Sequence, residues 1–431
     1  MSQPAFGNTT DIAERPNHNL KPGPIECCQI CGSKNLELVL DLGHQPLCDT
    51  LLYEKDLHEP ETFYPLRQVW CKDCTLNQID YIVDGEVVYH QDYPYKSGVT
   101  KELVTYQNKM AEDIVSDLAI PTESLIADIG SNDGTLLKGF KSQGMNVIGI
   151  EPTNIAAIAN QDGINTLHAP FNQDIAHKIV DGNGNAKVVT ATNVFAHMAT
   201  LGDVMEGLEI LVADDGYFCF ENHYLGAIAE RMQYDTIYHE HLRSYSLHSL
   251  LKLFEYYDFT IIDAKKVSRY GGNIRVYAAK GKNHTPKESV QNMLDEEIKA
   301  GMTTSKYYKD FRERSIKLKN DFVSLLLKLK SEGYSVVGNS CPGRCSTLLN
   351  YAGVGPEILP YLAEQPTSLK LGRYLPGKHI PIVDNEILIK EQPDYVVLLA
   401  WHYADSIIEQ LRARGLKSKF IMPMPEVQII D

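Results

Sequence analysis

Short apolar runs that alternate with glycine-containing turns and helical segments predict an α/β unit in the middle of the chain. Leu125 to Ala127 reads as a strand that runs into D-I-G-S-N-D-G, and a helix and a second strand, Asn146 to Ile150, follow. An amphipathic helical stretch at residues 100–120 precedes them. This order predicts a βαβ unit with a glycine-rich first turn.

Three further apolar runs predict strands of the same sheet. Residues 187–191 lead to Asn193 and His197, and residues 216–225 and 271–280 hold the other two runs. Because open α/β sheets bind ligands beyond the carboxyl ends of their strands, Asn193 and His197 are candidates for the crevice. Arg275, on the last run, is a candidate to face a charged group. For Asn193 and His197, helix capping and surface solvation remain the alternative.

The C-terminal part repeats the same pattern after a charge-rich helical segment at residues 286–333. Residues 334–354 and 394–415 each read as strand, turn and helix, which predicts a second α/β unit. Its first turn contains Arg344 and presents a helix N-terminus that suits a diphosphate. Arg373 and Lys378 are further candidates for binding phosphate, and the alternative for each is an ordinary solvated cation.

Composition and charge exclude several classes of protein. Hydrophobic residues make up 43% of the chain and charged residues 23%, and no apolar run approaches the roughly 20 residues that cross a bilayer. The net charge of −15 disfavours extended nucleic-acid binding, because a polyanion would be repelled. The N-terminal segment lacks the features of a signal peptide, so we expect a cytoplasmic protein without membrane contact.

Two C-x-x-C pairs predict a metal site. Cys28 and Cys31 form the first pair, and Cys71 and Cys74 form the second. Two such pairs supply a tetrahedral, all-thiolate zinc site, and four protein ligands leave no position for water. We therefore predict structural zinc. The alternative is four unrelated buried thiols; Cys27 falls outside the C-x-x-C spacing.

The glycine-rich turn resembles the S-adenosylmethionine (SAM) loop of class I methyltransferases. The pattern D-x-G-x-x-x-G is followed by an acidic residue at the end of the second strand, where a carboxylate suits a ribose diol. The dinucleotide pattern G-x-G-x-x-G is absent. The residues predicted to bind the cofactor are Asp128, Gly130, Asn132, Gly134, Glu151 and Asn193.

The segment Tyr238-His239-Glu240-His241 concentrates polar groups that suit proton transfer. A metal site is disfavoured, because the two histidines point about 200° apart on a helix, and on a strand Glu240 lies opposite them. A histidine that handles a proton beside the cofactor fits better. The alternative is a polar loop packed under the sheet.

Many ordered motifs together resemble one family, the zinc-containing nucleotide-sugar C-methyltransferases of tetronitrose and mycarose type. They run from the C-x-x-C pairs through YPYKSGVT, DIGSNDGTLL, NVFAHM, YDTIYHEHLRSYS and RYGGNIRVYA to TLLNYAGV, GRYLPGKHIPI and AWHYADSIIEQL. The resemblance implies a SAM-dependent methyltransferase with structural zinc that acts on a nucleotide-diphosphate sugar. One departure is P-G-R-C-S-T at residues 342–347, where the family usually has A-K-G-N-T.

The resemblance also implies roles for single residues. His241, the last histidine of the motif, corresponds to the base that removes a proton from C3 of a 4-keto deoxysugar, with Tyr238 and Glu240 beside it. A tyrosine that reaches the sugar corresponds to Tyr93 or to Tyr95. Donors to the enolate oxygen that forms are Tyr238, Tyr93 and His197.

The expected fold class is α/β, with an N-terminal zinc-binding domain, a central class I, Rossmann-like methyltransferase domain and a C-terminal Rossmann-like α/β domain. The expected ranges are a leader at 1–24, the zinc-binding domain at 25–85, the methyltransferase domain at 86–285 and a nucleotide-sugar domain at 286–431. Alternatives are a sugar O- or N-methyltransferase and a non-catalytic zinc-ribbon adaptor that binds nucleotide sugars. We expect a monomer or a weak homo-oligomer.

Overall fold

The computed structural model describes residues 14–88, 98 and 101–431. The first region forms a small sheet unit around the cysteine pairs. A four-stranded antiparallel sheet joins three of its strands to one strand from later in the chain, in the order β11-β4-β3-β2. The elements of this region are β1 (Gly23–Pro24), β2 (Leu36–Gln45), β3 (Tyr64–Cys71), β4 (Asn77–Ile79), β5 (Tyr81–Ile82) and α1 (Gly85–Val88).

The central region is a seven-stranded sheet in the order β12-β13-β10-β9-β6-β7-β8. Its strands are parallel except β13, which pairs antiparallel with both of its neighbours. The strands of this region, together with β11 of the first sheet, are β6 (Leu125–Ile129), β7 (Asn146–Glu151), β8 (Thr166–His168), β9 (Ala186–Thr192), β10 (Val212–His223), β11 (Arg243–Ser244), β12 (Phe259–Val267) and β13 (Asn273–Lys280).

The helices of the central region cover the sheet. They are α2 (Lys101–Asp117), α3 (Thr135–Lys141), α4 (Ala156–Gln161), α5 (Gln173–Asn183), α6 (Leu201–Leu211), α7 (Leu225–Glu230) and α8 (Leu247–Phe254). Local sequence explains two helix starts. α5 begins after Asn172, whose side chain accepts a hydrogen bond from the Ile175 amide, and α8 begins with a Ser246–Ser249 capping box. The buried strands and the apolar faces of these helices form the core of the region.

The C-terminal region adds a six-stranded sheet in the order β16-β15-β14-β17-β18-β19, parallel except for the last strand. Its elements are α9 (Glu288–Ala300), α10 (Ser305–Ser331), β14 (Val336–Asn339), α11 (Gly343–Ala352), β15 (Leu362–Glu364), β16 (Ile382–Asp384), α12 (Glu386–Glu391), β17 (Tyr395–Leu398), α13 (Ala404–Ala413), β18 (Lys419–Met422) and β19 (Gln428–Ile430). The α/β fold class predicted from the sequence is confirmed.

The long helical segment before this sheet is two helices. Gly301 adopts a left-handed conformation with φ +83° and ends α9, and α10 starts at Ser305. None of the helices in residues 14–88 and 101–431 combines the length and apolar character needed to cross a lipid bilayer.

Candidate active site

The four predicted zinc ligands converge on one point. The sulfur atoms of Cys28 and Cys74 lie 3.4 Å apart, and those of Cys31 and Cys71 lie 3.5 Å apart. All four sulfur atoms lie within 4.8 Å of one another. Four thiols around a common centre fit tetrahedral Zn²⁺ and leave no open coordination position, so the site suits a structural role.

The backbone of the glycine-rich turn between β6 and α3 lies close to side chains from other parts of the protein. Gly130 has φ +68°, and a Cβ added there would lie 2.5 Å from the Val194 side chain. Gly134 has φ +75° and precedes α3; a Cβ there would lie 3.1 Å from Ile164. Both positions therefore require glycine, for conformation and for space. The result is a tight turn at the carboxyl end of β6.

Two predicted cofactor-binding carboxylates flank this turn. Glu151 ends β7 and accepts from the backbone amides of Asn132 and Thr153, each at 2.9 Å. Asp128 lies on β6 and accepts from the Thr190 hydroxyl at 2.6 Å. Burial raises the pKa of Asp128 to about 7. The turn therefore holds Glu151 at the end of the second strand, where a ribose diol would be recognised.

Buried polar atoms at the ends of the next two strands suit a polar ligand. The Thr192 hydroxyl, the Asn193 amide nitrogen and the Asn222 amide nitrogen are buried and have no hydrogen-bond partner within the part of the chain that the structure describes. Asn193 has φ +56°, and its side-chain oxygen accepts from Asn273 at 3.0 Å. Since buried donors and acceptors are normally paired, these atoms fit a site for SAM.

Histidines from three elements meet beside this crevice. The His241 ring lies 4.9 Å from the His197 ring, 4.8 Å from the His223 ring and 4.0 Å from the Tyr238 ring, measured between centroids. His241 Nδ1 donates to the Thr236 carbonyl at 2.7 Å. A carbonyl only accepts, so Nδ1 carries the hydrogen, and Nε2 of the neutral ring holds the lone pair.

Burial keeps these imidazoles neutral. It lowers the pKa of His197 to about 4 and the pKa of His223 to about 3. Burial also lowers the pKa of His241 well below its usual value, and the neighbouring His223 and His197 lower it further. Burial raises the pKa of Tyr238 far above its usual value, so its hydroxyl stays protonated. The cluster thus offers neutral bases and a phenolic donor near pH 7.

Glu240 connects the histidines to the N-terminal sheet unit. One carboxylate oxygen lies 3.9 Å from His197 Nδ1, and the other accepts from the Cys48 thiol at 3.5 Å. Burial raises the pKa of that thiol, so Cys48 stays protonated and acts as a donor. Glu240 therefore lies within the cluster, next to His197.

Two of the cations predicted to bind substrate form ion pairs with carboxylates of the protein. Arg275 is buried and pairs with Glu221 at 2.6 Å. Burial by itself lowers the pKa of Arg275, but Glu221 and the nearby phenolic groups outweigh it, so the pKa is raised. Arg344 is buried and pairs with Asp235 at 2.7 Å. Their guanidinium groups thus bind carboxylates of the protein itself. Their roles as substrate ligands stay predictions.

The remaining predicted substrate residues lie at the C-terminal unit or outside the described chain. The Arg373 guanidinium lies 3.4 Å from the centroid of the Tyr53 ring, and Lys378 is half-buried. Tyr93 and Tyr95 lie outside the described residues. For these four residues the predicted roles also stay predictions.

The start of α11 is not an open anion site. A Cβ added to Gly343 would lie 2.8 Å from an Asp49 carboxylate oxygen, and Lys370 pairs with that carboxylate at 3.1 Å. A carboxylate already lies near this helix start, where the helix dipole stabilises negative charge. The diphosphate predicted for this turn would meet that charge.

Several residues of the site were missed by sequence reasoning. His223 ends β10 directly beside His241, and the rule that ligands bind at the carboxyl ends of strands was a usable signal for it. His402 and Trp401 follow β17 and approach Arg344. Nothing in the local sequence indicates the contact of Arg344 with His402, because the two residues are 58 positions apart in the chain.

Comparisons with known proteins agree with this architecture. The family described as C-methyltransferase C-terminal domain matches residues 268–425, a zinc binding domain matches residues 28–89, and a methyltransferase domain matches residues 104–264. The C-methyltransferase NovU of Streptomyces niveus is 32% identical over 413 residues, which cover 95% of this chain and 97% of NovU.

Two solved methyltransferases are similar to part of this chain. The magnesium protoporphyrin IX methyltransferase ChlM of Synechocystis PCC 6803 is 14% identical. The match covers 42% of this chain and 82% of ChlM, with a TM-score of 0.32. The 1,6-didemethyltoxoflavin-N1-methyltransferase of Burkholderia thailandensis is 15% identical. The match covers 50% of this chain and 96% of that enzyme, with a TM-score of 0.35.

The fold and the site define a SAM-dependent methyltransferase with a structural zinc site. The chain belongs to the zinc-containing C-methyltransferase family, and its activity is SAM-dependent methylation of carbon. The predicted family, enzyme class and cofactors are therefore confirmed.

Proposed function

We propose that the protein methylates a 4-keto nucleotide-diphosphate deoxysugar at the carbon next to the ketone, C3, and that His241 is the base. The observation that carries this proposal is the meeting of the His197, His223, His241 and Tyr238 rings where β9 and β10 end. Methylation of carbon requires a carbanion equivalent, and a ketone acidifies the adjacent C–H bond. A buried neutral imidazole suits the removal of that proton.

In this mechanism His241 Nε2 takes the C3 proton, while Nδ1 remains bound to the Thr236 carbonyl. Negative charge moves to the ketone oxygen, which needs a hydrogen-bond donor. Tyr238 suits this task because its hydroxyl stays protonated, and His197 is the second candidate. Bound SAM supplies the methyl group; Gly130, Asn132, Gly134, Glu151 and their neighbours would hold it.

The remainder of the substrate requires contacts to sugar and phosphates. We assign Arg373 and Lys378 to the diphosphate, because neither side chain forms an ion pair with a carboxylate in the part of the chain that the structure describes. Tyr93 or Tyr95 is assigned to the sugar on the resemblance alone.

A direct test uses uridine, thymidine, cytidine and guanosine diphosphate 4-keto-6-deoxyhexoses with methyl-labelled SAM. We expect transfer of label to carbon for one of them, and exchange of the C3 proton in deuterated water without SAM. The His241→Ala variant should lose both reactions and keep its affinity for S-adenosylhomocysteine within about twofold, since the base acts on the sugar.

His239→Gln is the matched control, because His239 belongs to the same motif and is also buried. Its ring lies against Tyr64 and its Nε2 is 3.3 Å from the Pro65 carbonyl, away from the histidine cluster. Turnover at the wild-type rate by His241→Ala would exclude His241 as the base. Label on a carbon other than C3 would exclude the proposed position of methylation.

A further inference from the structure

Asp235 is a fully buried carboxylate that receives three hydrogen bonds from the C-terminal unit. Arg344 donates Nε to one oxygen at 2.9 Å and Nη2 to the other at 2.7 Å. The Trp401 indole donates to Asp235 at 2.9 Å. Two parallel guanidinium bonds define the orientation of a carboxylate more tightly than a single contact does.

Arg344 lies in the first turn of α11 and is only 7% exposed. Its Nη2 also donates to the Gln233 side chain at 3.0 Å, and its guanidinium carbon lies 5.0 Å from the centroid of the Trp401 ring. Its Nη1 lies 3.4 Å from His402 Nδ1. The guanidinium is therefore held on the side that faces residues 233–235.

The same helix also binds the residue on the other side of Thr236. Thr347, one turn further along α11, donates its hydroxyl to the Ile237 carbonyl at 3.1 Å. α11 thus holds both Asp235 and Ile237. The peptide carbonyl between these two contacts, that of Thr236, accepts the Nδ1 hydrogen of His241.

We propose that Asp235 and Arg344 are positioning residues, whose ion pair holds the Thr236 carbonyl and thereby keeps His241 in the tautomer with the lone pair on Nε2. The inference rests on the proposed function, in which His241 is the base. It assigns to the C-terminal unit a part in orienting the base. In this role Arg344 acts through Asp235.

The Asp235–Arg344 ion pair also affects the pKa of His241. Titratable or charged groups that face His241 or its immediate neighbours are His197, His223, Tyr238, Glu240, Arg344, His402, Tyr270 and Cys48. Burial lowers the pKa of His241 most, His223 and His197 lower it further, and Arg344 makes a smaller contribution in the same direction. Arg344→Met should therefore raise this pKa, whereas Asp235→Asn, which leaves the guanidinium unpaired, should lower it further.

The test is nitrogen NMR of the full-length zinc protein labelled with ¹⁵N-histidine, with His241→Asn used to assign the signals. We expect wild-type His241 to be in the Nδ1–H tautomer. Arg344→Met and Asp235→Asn should populate both tautomers and shift the His241 titration in opposite directions. The wild-type tautomer and titration in both variants would overturn the proposal.

Arg344→Met leaves a buried carboxylate unpaired, which can prevent folding. The double variant Arg344→Met, Asp235→Asn leaves no unpaired charge and carries the same test: a single Nδ1–H tautomer in it would overturn the proposal. Arg344→Lys keeps the charge without the bidentate geometry and should restore part of the wild-type signal. Arg312→Met is the control, because Arg312 on α10 donates to the Val39 carbonyl, away from residues 233–241.

A second readout is the rate of C3 proton exchange with the nucleotide-sugar panel. Arg344→Met should lower this rate about 10- to 100-fold, as small misplacements of a catalytic group do, with affinity for S-adenosylhomocysteine unchanged within about twofold. An unchanged rate would also overturn the proposal. If wild-type protein exchanges no sugar of the panel, the proposed function fails, and the NMR result alone decides the positioning role.

Discussion

His241 donates its Nδ1 hydrogen to the carbonyl of Thr236, five residues earlier in the chain, across 2.7 Å. The bond closes the segment on itself and directs the ring toward His197 and His223. His239, two residues before His241, lies instead against Tyr64 of the N-terminal sheet unit. The two histidines of one short motif thus have different surroundings, and only His241 of the two belongs to the histidine cluster.

The zinc site should stabilise the fold. Cys71→Ser removes one of four converging thiols, so we expect loss of most of the metal and a decrease of about 3 kcal/mol or more in the free energy of unfolding, since metal binding and folding are coupled. Metal analysis and urea denaturation measure both. Cys27→Ser is the control, because Cys27 is outside the four-sulfur cluster; equal effects of the two substitutions would contradict a four-thiol site.

Gly130 should tolerate alanine less well than Gly163. Both have left-handed φ angles, +68° and +77°, which cost an L-residue about 1–2 kcal/mol. A Cβ at Gly130 would also meet Val194 at 2.5 Å, whereas a Cβ at Gly163 meets no described atom within 4 Å. We expect Gly130→Ala to lose about 3 kcal/mol and Gly163→Ala about 1 kcal/mol.

Urea denaturation measures these two stabilities, and calorimetry with S-adenosylhomocysteine measures the cofactor site. Affinity should fall for Gly130→Ala and stay near wild type for Gly163→Ala, because only Gly130 belongs to the turn between β6 and α3. Similar losses of stability and affinity in both variants would argue against the close approach of Gly130 to Val194.

Acidification should destabilise the protein through its buried histidines. Burial lowers the pKa of His223 to about 3 from an ordinary value near 6.5. Between these two pH values the unfolded chain therefore binds a proton at His223 that the folded chain does not bind. Stability from this group is complete above about pH 6.5 and is lost as the pH falls toward 3.

His223→Asn removes that linkage. Between pH 6.5 and 4.5 the variant should lose about 2 kcal/mol less stability than wild type, as measured by urea denaturation at each pH. His177→Asn is the control, because His177 is exposed on α5. The same pH dependence in wild type and His223→Asn would show that His223 is not held neutral.

Local sequence was sufficient for many individual elements. β7, which was predicted at Asn146 to Ile150, spans Asn146–Glu151, and the two C-x-x-C pairs meet as expected. These features depend on neighbours within a few residues: the period of apolar positions, glycine at a positive φ, and paired thiols. The helical segment predicted at residues 286–333 is divided into α9 and α10, because Gly301 ends α9 at a left-handed cap.

Contacts between distant segments could not be predicted from the local sequence. Arg344 was expected to bind phosphate, since it lies at a helix start, yet its guanidinium pairs with Asp235, 109 positions away. The same holds for His223, which reaches His241 only because β10 ends beside that segment. A residue's type and local pattern limit what it can bind, but they do not specify which distant partner the packing brings to it.

The sequence by itself determined the zinc ligands, the glycine turn that suits SAM and the α/β class, because each depends on short-range spacing and backbone conformation. Only the tertiary structure decided which of the motif's histidines joins a cluster and which cations are bound by carboxylates of the protein. Those outcomes depend on how three sheets pack together, and burial there determines protonation and pairing.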